Sequence, residues 1–196
     1  AQYELRDDIT LSAAMRFPDV TDVIEAEEDR DAVAALAREV ALRAVTAMKR
    51  MRAGEGERLC NDLLNRVTTV ESIAGKIDVR APFVVEEYRT KLSERIESML
   101  GGVEVDRTRL ATEVALFADK ASINEELVRL ASHITEMRKV LGADEAAGRR
   151  LDFIVQEMNR EFNTIGSKAN DAEITSLVIA GKGEIEKIRE QVQNIE

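Results

Sequence analysis

Proline, cysteine, aromatic residues and long apolar runs are scarce in this sequence. Two prolines, ten glycines, no tryptophan and 4% aromatics in 196 residues leave little material for turns and strands. Ala, Leu, Val, Glu, Arg and Lys dominate instead, a composition of long helices. The apolar runs fall far short of a bilayer span, and no basic stretch precedes an apolar one near the start, so neither a membrane helix nor an export signal is read. A single cysteine, Cys60, makes no internal disulfide and has no partners at metal-ligand spacing, which fits a reducing cytoplasm and a small buried residue. One histidine, His133, excludes a two-histidine acid/base pair within one chain. There is no Gly-rich phosphate loop after a strand, no G-x-S-x-G elbow and no Cys/His zinc pattern.

Positive charge is also scarce. The net charge of −10 argues against a nucleic-acid binder held by bulk electrostatics. The excess is uneven: residues 1–35 contribute −7 of it, leaving −3 for the other 161. Repulsion for phosphate is thus concentrated at one end. The acidic run at 25–31 reads as a solvated helix entry, with carboxylates near the positive end of the dipole.

What is present is helical spacing. Val33, Leu36, Val40, Ala44, Ala47 and Met51 follow steps of three and four, and the pattern resumes after Gly54 and Gly56 through Leu59, Leu63, Val67, Val70 and Ile77. The two glycines either end a helix there or are tolerated within it. Pro82 is expected in a first helical turn, and Gly101–Gly102 at the end of that helix. Asp106 to Lys120 reads as a further helix, and Ser122 with Glu125 has capping-box spacing for one running to Leu141. The next spans about Gly148 to Ile165 with Gly166 as its stop. Asn170 and Glu173 then suggest the cap of a last helix, whose seam is Val178, Gly181, Ile185, Ile188, Val192 and Ile195. Gly181 and Gly183 stand where ordinary helix formers are expected. The fold class is therefore all-α, long antiparallel helices in a bundle with coiled-coil-like hairpins and at most one short strand, near 22–26. The organisation expected is an acidic segment at 1–30, a helical hairpin at 31–105 and a C-terminal helical domain at 106–196. The start lacks an initiator Met and enters mid-pattern, as the cut edge of a longer chain would.

On a wheel, residues 149–165 gather Leu151, Ile154, Val155, Met158, Phe162 and Ile165 on one side. Opposite lies a polar strip of Asp152, Gln156, Asn159 and Asn163, beside another of Arg149, Phe153, Glu157 and Arg160. Asn and Asp are poor choices for a solvated helix face. One reading is a helix sandwiched between layers, with the strip as an internal hydrogen-bond network. The other has Arg149, Arg150, Arg160 and Lys168 holding phosphates, Gln156, Asn159 and Asn163 reaching sugar or base edges, and Phe153 stacking on a base. Asp152 with Glu157 or Glu161 then supplies charge for a divalent metal. His133 shares a helix flank with Glu126, Arg129 and Glu136, which suits a metal ligand, a base or a hydrogen-bonded structural histidine.

The stretch GRRLDFIVQEMNREFNTIGSKANDAEI and the terminal EIEKIREQVQNIE closely resemble the C-terminal signature of the bacterial YicC/YloC family of endoribonucleases. RAPFVVEEYRTKL, EVALFADKASINEELVRLASHI and FPDV are similar to that family in the same order. The resemblance covers about Leu11 to Glu196. It implies a cytoplasmic protein that clamps and cleaves RNA with a divalent metal, Mn2+ or Mg2+, as a ring-like homohexamer. On the residue reading above, the catalytic candidates are Asp152, Glu157, Glu161 and His133, and the metal candidates Asp152, Glu157 and Glu126. Family members also carry an N-terminal domain with a Met-Thr-Gly-aromatic-Gly motif that this sequence lacks, so the piece alone is expected to be inactive if that domain completes the channel. A non-catalytic RNA clamp and a coiled-coil scaffold are the alternatives.

Overall fold

Helix-favouring composition is realised almost without interruption in the computed structural model, which describes residues 9–22, 24, 29–100, 106–143, 147–193 and 195. Six helices follow one another: α1 (Leu11–Ala14), α2 (Arg30–Leu100), α3 (Arg107–Ala121), α4 (Asn124–Leu141), α5 (Gly148–Lys168) and α6 (Ala172–Val192). Among the described residues there is no strand. Of the segment where one was expected, Asp22 and Ile24 are irregular and the remainder lies outside those residues, as do Gly101 and Gly102. No helix is long and apolar enough to cross a membrane.

The chain divides into two units, residues 1–51 and 52–196. In the first, Thr10 caps α1, and the Asp29 carboxylate accepts from the Asp31 and Ala32 N–H groups at the entry of α2; of the acidic run, residues 25–28 lie outside the described residues. Val33, Leu36, Val40 and Met51, the expected apolar stripe, are all exposed.

In the second unit, the rest of α2 buries Leu63, Val67, Val70 and Ile77. It runs antiparallel to α4, to which Glu71–Arg138 (2.7 Å) and the Cys60 thiol on the Leu141 carbonyl (3.6 Å) tie it. It is antiparallel also to α6, through Arg66–Glu184 (3.4 Å) and Arg80–Asp171 (2.8 Å). Helix α5 packs antiparallel between α4 and α6, contributing Leu151, Ile154, Val155, Met158, Phe162 and Ile165 to the core. The seam of α6 is buried at Val178, Gly181, Ile185, Ile188 and Val192.

Several expected boundaries move. Residues 30–100 form one helix, not a hairpin; Gly54 and Gly56 are tolerated inside it, and Pro82 lies in its interior, not in a first turn. Buried Ile77 and Val84 on either side of Pro82 hold the chain helical against the local cost of a missing hydrogen bond. The Ser122–Glu125 capping box does not form. Ser122 closes α3, while Ile123 precedes α4 without a side-chain cap and is 2% exposed. Burying an isoleucine is worth about 1.5–3 kcal/mol, a cap about 1 kcal/mol, so burial decides. Gly166 stays within α5, because a Cβ there would stand 3.1 Å from Val178 Cγ1: the glycine serves close packing, not termination. Asn170 takes a left-handed turn (φ 47°), and Asp171 is the residue that caps α6, accepting from the Ile174 N–H at 2.8 Å.

Candidate metal centre on the seam of α4 and α5

Because α4 and α5 are antiparallel, residues whose numbers rise on one helix meet residues whose numbers fall on the other. Side-chain pairs mark this register: Glu126 with Lys168 at one end, Glu136 with Arg150 at the other. Between them, one ligand atom each from His133, Glu157 and Glu161 come within 4.8 Å of one another. Two donors on opposite sides of a divalent ion at about 2.4 Å each are separated by about 4.8 Å, so these atoms fit around one ion. An imidazole nitrogen with two carboxylates suits Mn2+, and oxygen donors also admit Mg2+.

Burial sharpens the fit. Glu161 is only 4% exposed and makes no hydrogen bond or ion pair among the described residues. A carboxylate removed from water costs several kcal/mol unless a positive charge compensates. A cationic side chain that interacts electrostatically with it is Arg129, one turn before His133 on α4. Glu125 above all, then Glu161 and Glu126, keep that guanidinium charged; its direct ion pair is with Glu125, at 2.7 Å. His133 and Glu157 are half-buried at the edge of the cleft, and Arg160 approaches Glu157 to 4.0 Å.

Asp152 does not join this group. On α5 it stands roughly 140° round the helix from Glu157, where its carboxylate accepts from the Gln156 amide at 2.7 Å. Glu126, 4% exposed, binds the Lys168 ammonium at 2.7 Å through Oε1, while its buried Oε2 has no hydrogen-bond partner. Burial pushes the Glu126 carboxyl up, but Lys168, its own N–H and Arg129 together hold it below the ordinary range. Of Asp152, Glu157 and Glu126, therefore, only Glu157 stands in the group of three; Glu161, also read as supplying charge for a metal, and His133, also read as a candidate ligand, complete it.

The nucleic-acid candidates separate likewise. Arg149, Phe153, Gln156, Arg160 and Asn163 lie on the outward side of α5, Phe153 at 61% exposure. Arg150 is engaged by Glu136 and Lys168 by Glu126. Asn159 is half-buried, with Oδ1 enclosed and unpartnered. The helix is thus open along one side. Sequence reasoning assigned Arg129 no role beyond sharing the flank of His133, although that spacing was the available signal.

The family described as "Endoribonuclease YicC-like, C-terminal" matches residues 77–196, which include α4, α5 and α6. A protein of Clostridioides difficile named "Probable endoribonuclease YicC" is 42% identical over 196 residues, covering 100% of this chain and 67% of the relative. One of Haemophilus influenzae with the same name is 34% identical over 189 residues, 96% of this chain and 64% of the relative. The chain spans about two thirds of the length of these relatives.

Proposed function

Since the chain belongs to the YicC-like endoribonuclease family, we propose that it is the metal-binding part of an RNA-cleaving subunit, with His133, Glu157 and Glu161 holding a divalent ion, Mn2+ in preference to Mg2+. The observation that carries this reading is the convergence of those three side chains around a nearly sealed, unpaired carboxylate. A bound divalent ion would supply Lewis acidity at a phosphate oxygen and lower the pKa of a water.

The protein's own residues do the rest. Glu161 and Glu157 present anionic oxygens, and His133 a neutral imidazole nitrogen, so the set is loaded only when the histidine is unprotonated. Arg160 projects from the outer side of α5 beside Glu157, with its side chain 75% exposed, where it can meet phosphate charge. Phe153 and Arg149 extend that side for base stacking and backbone contact. The acidic residues concentrated in 1–35 make binding depend on this local face, not on net charge. The working assembly is proposed as a cytoplasmic homohexamer, as the family resemblance implies; the uncovered stripe of Val33, Leu36, Val40 and Met51 supports self-association.

The test compares wild type with Glu161→Gln and His133→Ala. Mn2+ uptake is followed by the electron paramagnetic resonance of free Mn2+, and cleavage with labelled RNA. Both variants are expected to lose at least tenfold in Mn2+ affinity and to cleave at least a hundredfold more slowly, with RNA retention at low salt preserved. Unchanged Mn2+ uptake in both variants overturns the assignment. Uptake without cleavage by any wild-type assembly favours the clamp that holds RNA without cutting it, for which Phe153 and Arg160 suffice.

A further inference from the structure

His133 is seven residues after Glu126 on α4, and Lys168 is seven after Glu161 on α5. Seven residues are two helical turns, about 10.5 Å. On antiparallel helices these equal offsets put the Glu126–Lys168 contact and the His133–Glu161 approach in a single register. Sliding α5 by one turn separates both.

We propose that Glu126 and Lys168 are a positioning pair, which fixes the register of α4 against α5 and so holds Glu157 and Glu161 opposite His133. The inference rests on the metal-site reading above and assigns Lys168 a different task from the phosphate contact its position in sequence suggests.

Three observations carry it. The contact is short, 2.7 Å, and Glu126 is 4% exposed, so little water reaches its charge to replace the ammonium. Glu126 Oε2 is enclosed without a hydrogen-bond partner, and the side chain's ion pair is the Lys168 contact through Oε1. Arg129 lies between the pair and the group of three, acting on both Glu126 and Glu161, so the two are joined by charge as well as by the helices. The Glu136–Arg150 pair at the other end is more open, with side chains 35% and 59% exposed, and water can substitute for either partner. The pair whose carboxylate is buried, Glu126 at 5% side-chain exposure against 39% for Lys168, is therefore the one whose loss shifts the helices. Residues that orient metal ligands without touching the ion typically alter affinity 10–100-fold on substitution.

The experiment measures Mn2+ affinity for the chain carrying Lys168→Met, Lys168→Arg or Glu126→Gln, together with the salt dependence of RNA binding in Mn2+-free buffer. Lys168→Met is expected to weaken Mn2+ binding at least tenfold. Lys168→Arg, which keeps the charge and a donor, is expected to stay within about threefold of wild type. The slope of log affinity against log salt is expected to be unchanged in Lys168→Met; a lysine on phosphate would lower it by about 1. If Lys168→Met fails to fold, Glu126→Gln, which leaves the ammonium uncompensated, carries the same tenfold expectation. Wild-type Mn2+ affinity in the folded charge-neutralised variants, or a salt slope lowered by about 1, overturns the positioning role while leaving the metal site standing. Absence of Mn2+ uptake by wild type overturns both.

Discussion

Gly181 packs directly against Phe162 in the core, and the geometry there distinguishes two glycines that look equivalent in sequence. A Cβ on Gly181 would lie 2.4 Å from Phe162 Cε1, and Phe162 is fully buried, so the ring has nowhere to retreat. Gly183, two residues on, faces open space. Replacing a helical glycine by alanine gains about 1 kcal/mol in propensity, whereas overpacking a core costs about 1–3 kcal/mol. Gly181→Ala is thus expected to lower the unfolding midpoint in urea and Gly183→Ala to raise it. The sequence marks both positions as departures from helix formers. Only the approach of α5 to α6 tells which is required, because that distance is not encoded in the spacing of either helix alone.

At the scale of the element, helix ends are set by competition between local caps and tertiary contacts. Asp171 both caps α6 and pairs with Arg80 on α2, whose hydrogen bonds hold the Asp171 carboxyl below its ordinary range; burial opposes this, and the Ile174 N–H adds to it. Its pKa is lower folded than unfolded, so the carboxylate contributes fully above the ordinary aspartate range, and the contribution disappears as pH falls through the depressed value. Asp171→Asn keeps an acceptor for the Ile174 N–H but loses the charge facing Arg80. At pH 7 the variant is expected to be less stable by about 1.5–3 kcal/mol, the worth of a charge-assisted hydrogen bond. The gap should narrow below about pH 4, as urea unfolding across pH will show; a gap constant down to acid pH contradicts the role of the charge. Helix type was legible throughout, since 3.6-residue periodicity survives in α2, α4, α5 and α6. Ends were not: Pro82 is a strong local start signal and Gly166 a stop signal, overruled respectively by buried neighbours and by close packing on Val178.

At the scale of the whole molecule, the proposed polyanionic substrate meets a chain of net charge −10, and the two are reconciled by where its charges stand. The second unit presents Arg149, Phe153 and Arg160 on one open side of α5 and conceals Glu161 and Glu126 in the seam beneath. The outward strip was readable from one helical wheel. The group of three was not, because His133 is 24 residues from Glu157 and 28 from Glu161, and a wheel compares residues of one helix only. For that reason Asp152, on the same helix as Glu157 but on its far side, stood among the sequence candidates. Diffraction from crystals of this chain soaked in Mn2+, recorded at a wavelength where manganese scatters anomalously, addresses the central claim directly. The account predicts an anomalous peak between His133 Nδ1 or Nε2 and the carboxylates of Glu157 and Glu161. A peak at Asp152, or none on the seam of α4 and α5 in crystals that hold Mn2+ elsewhere, would contradict it.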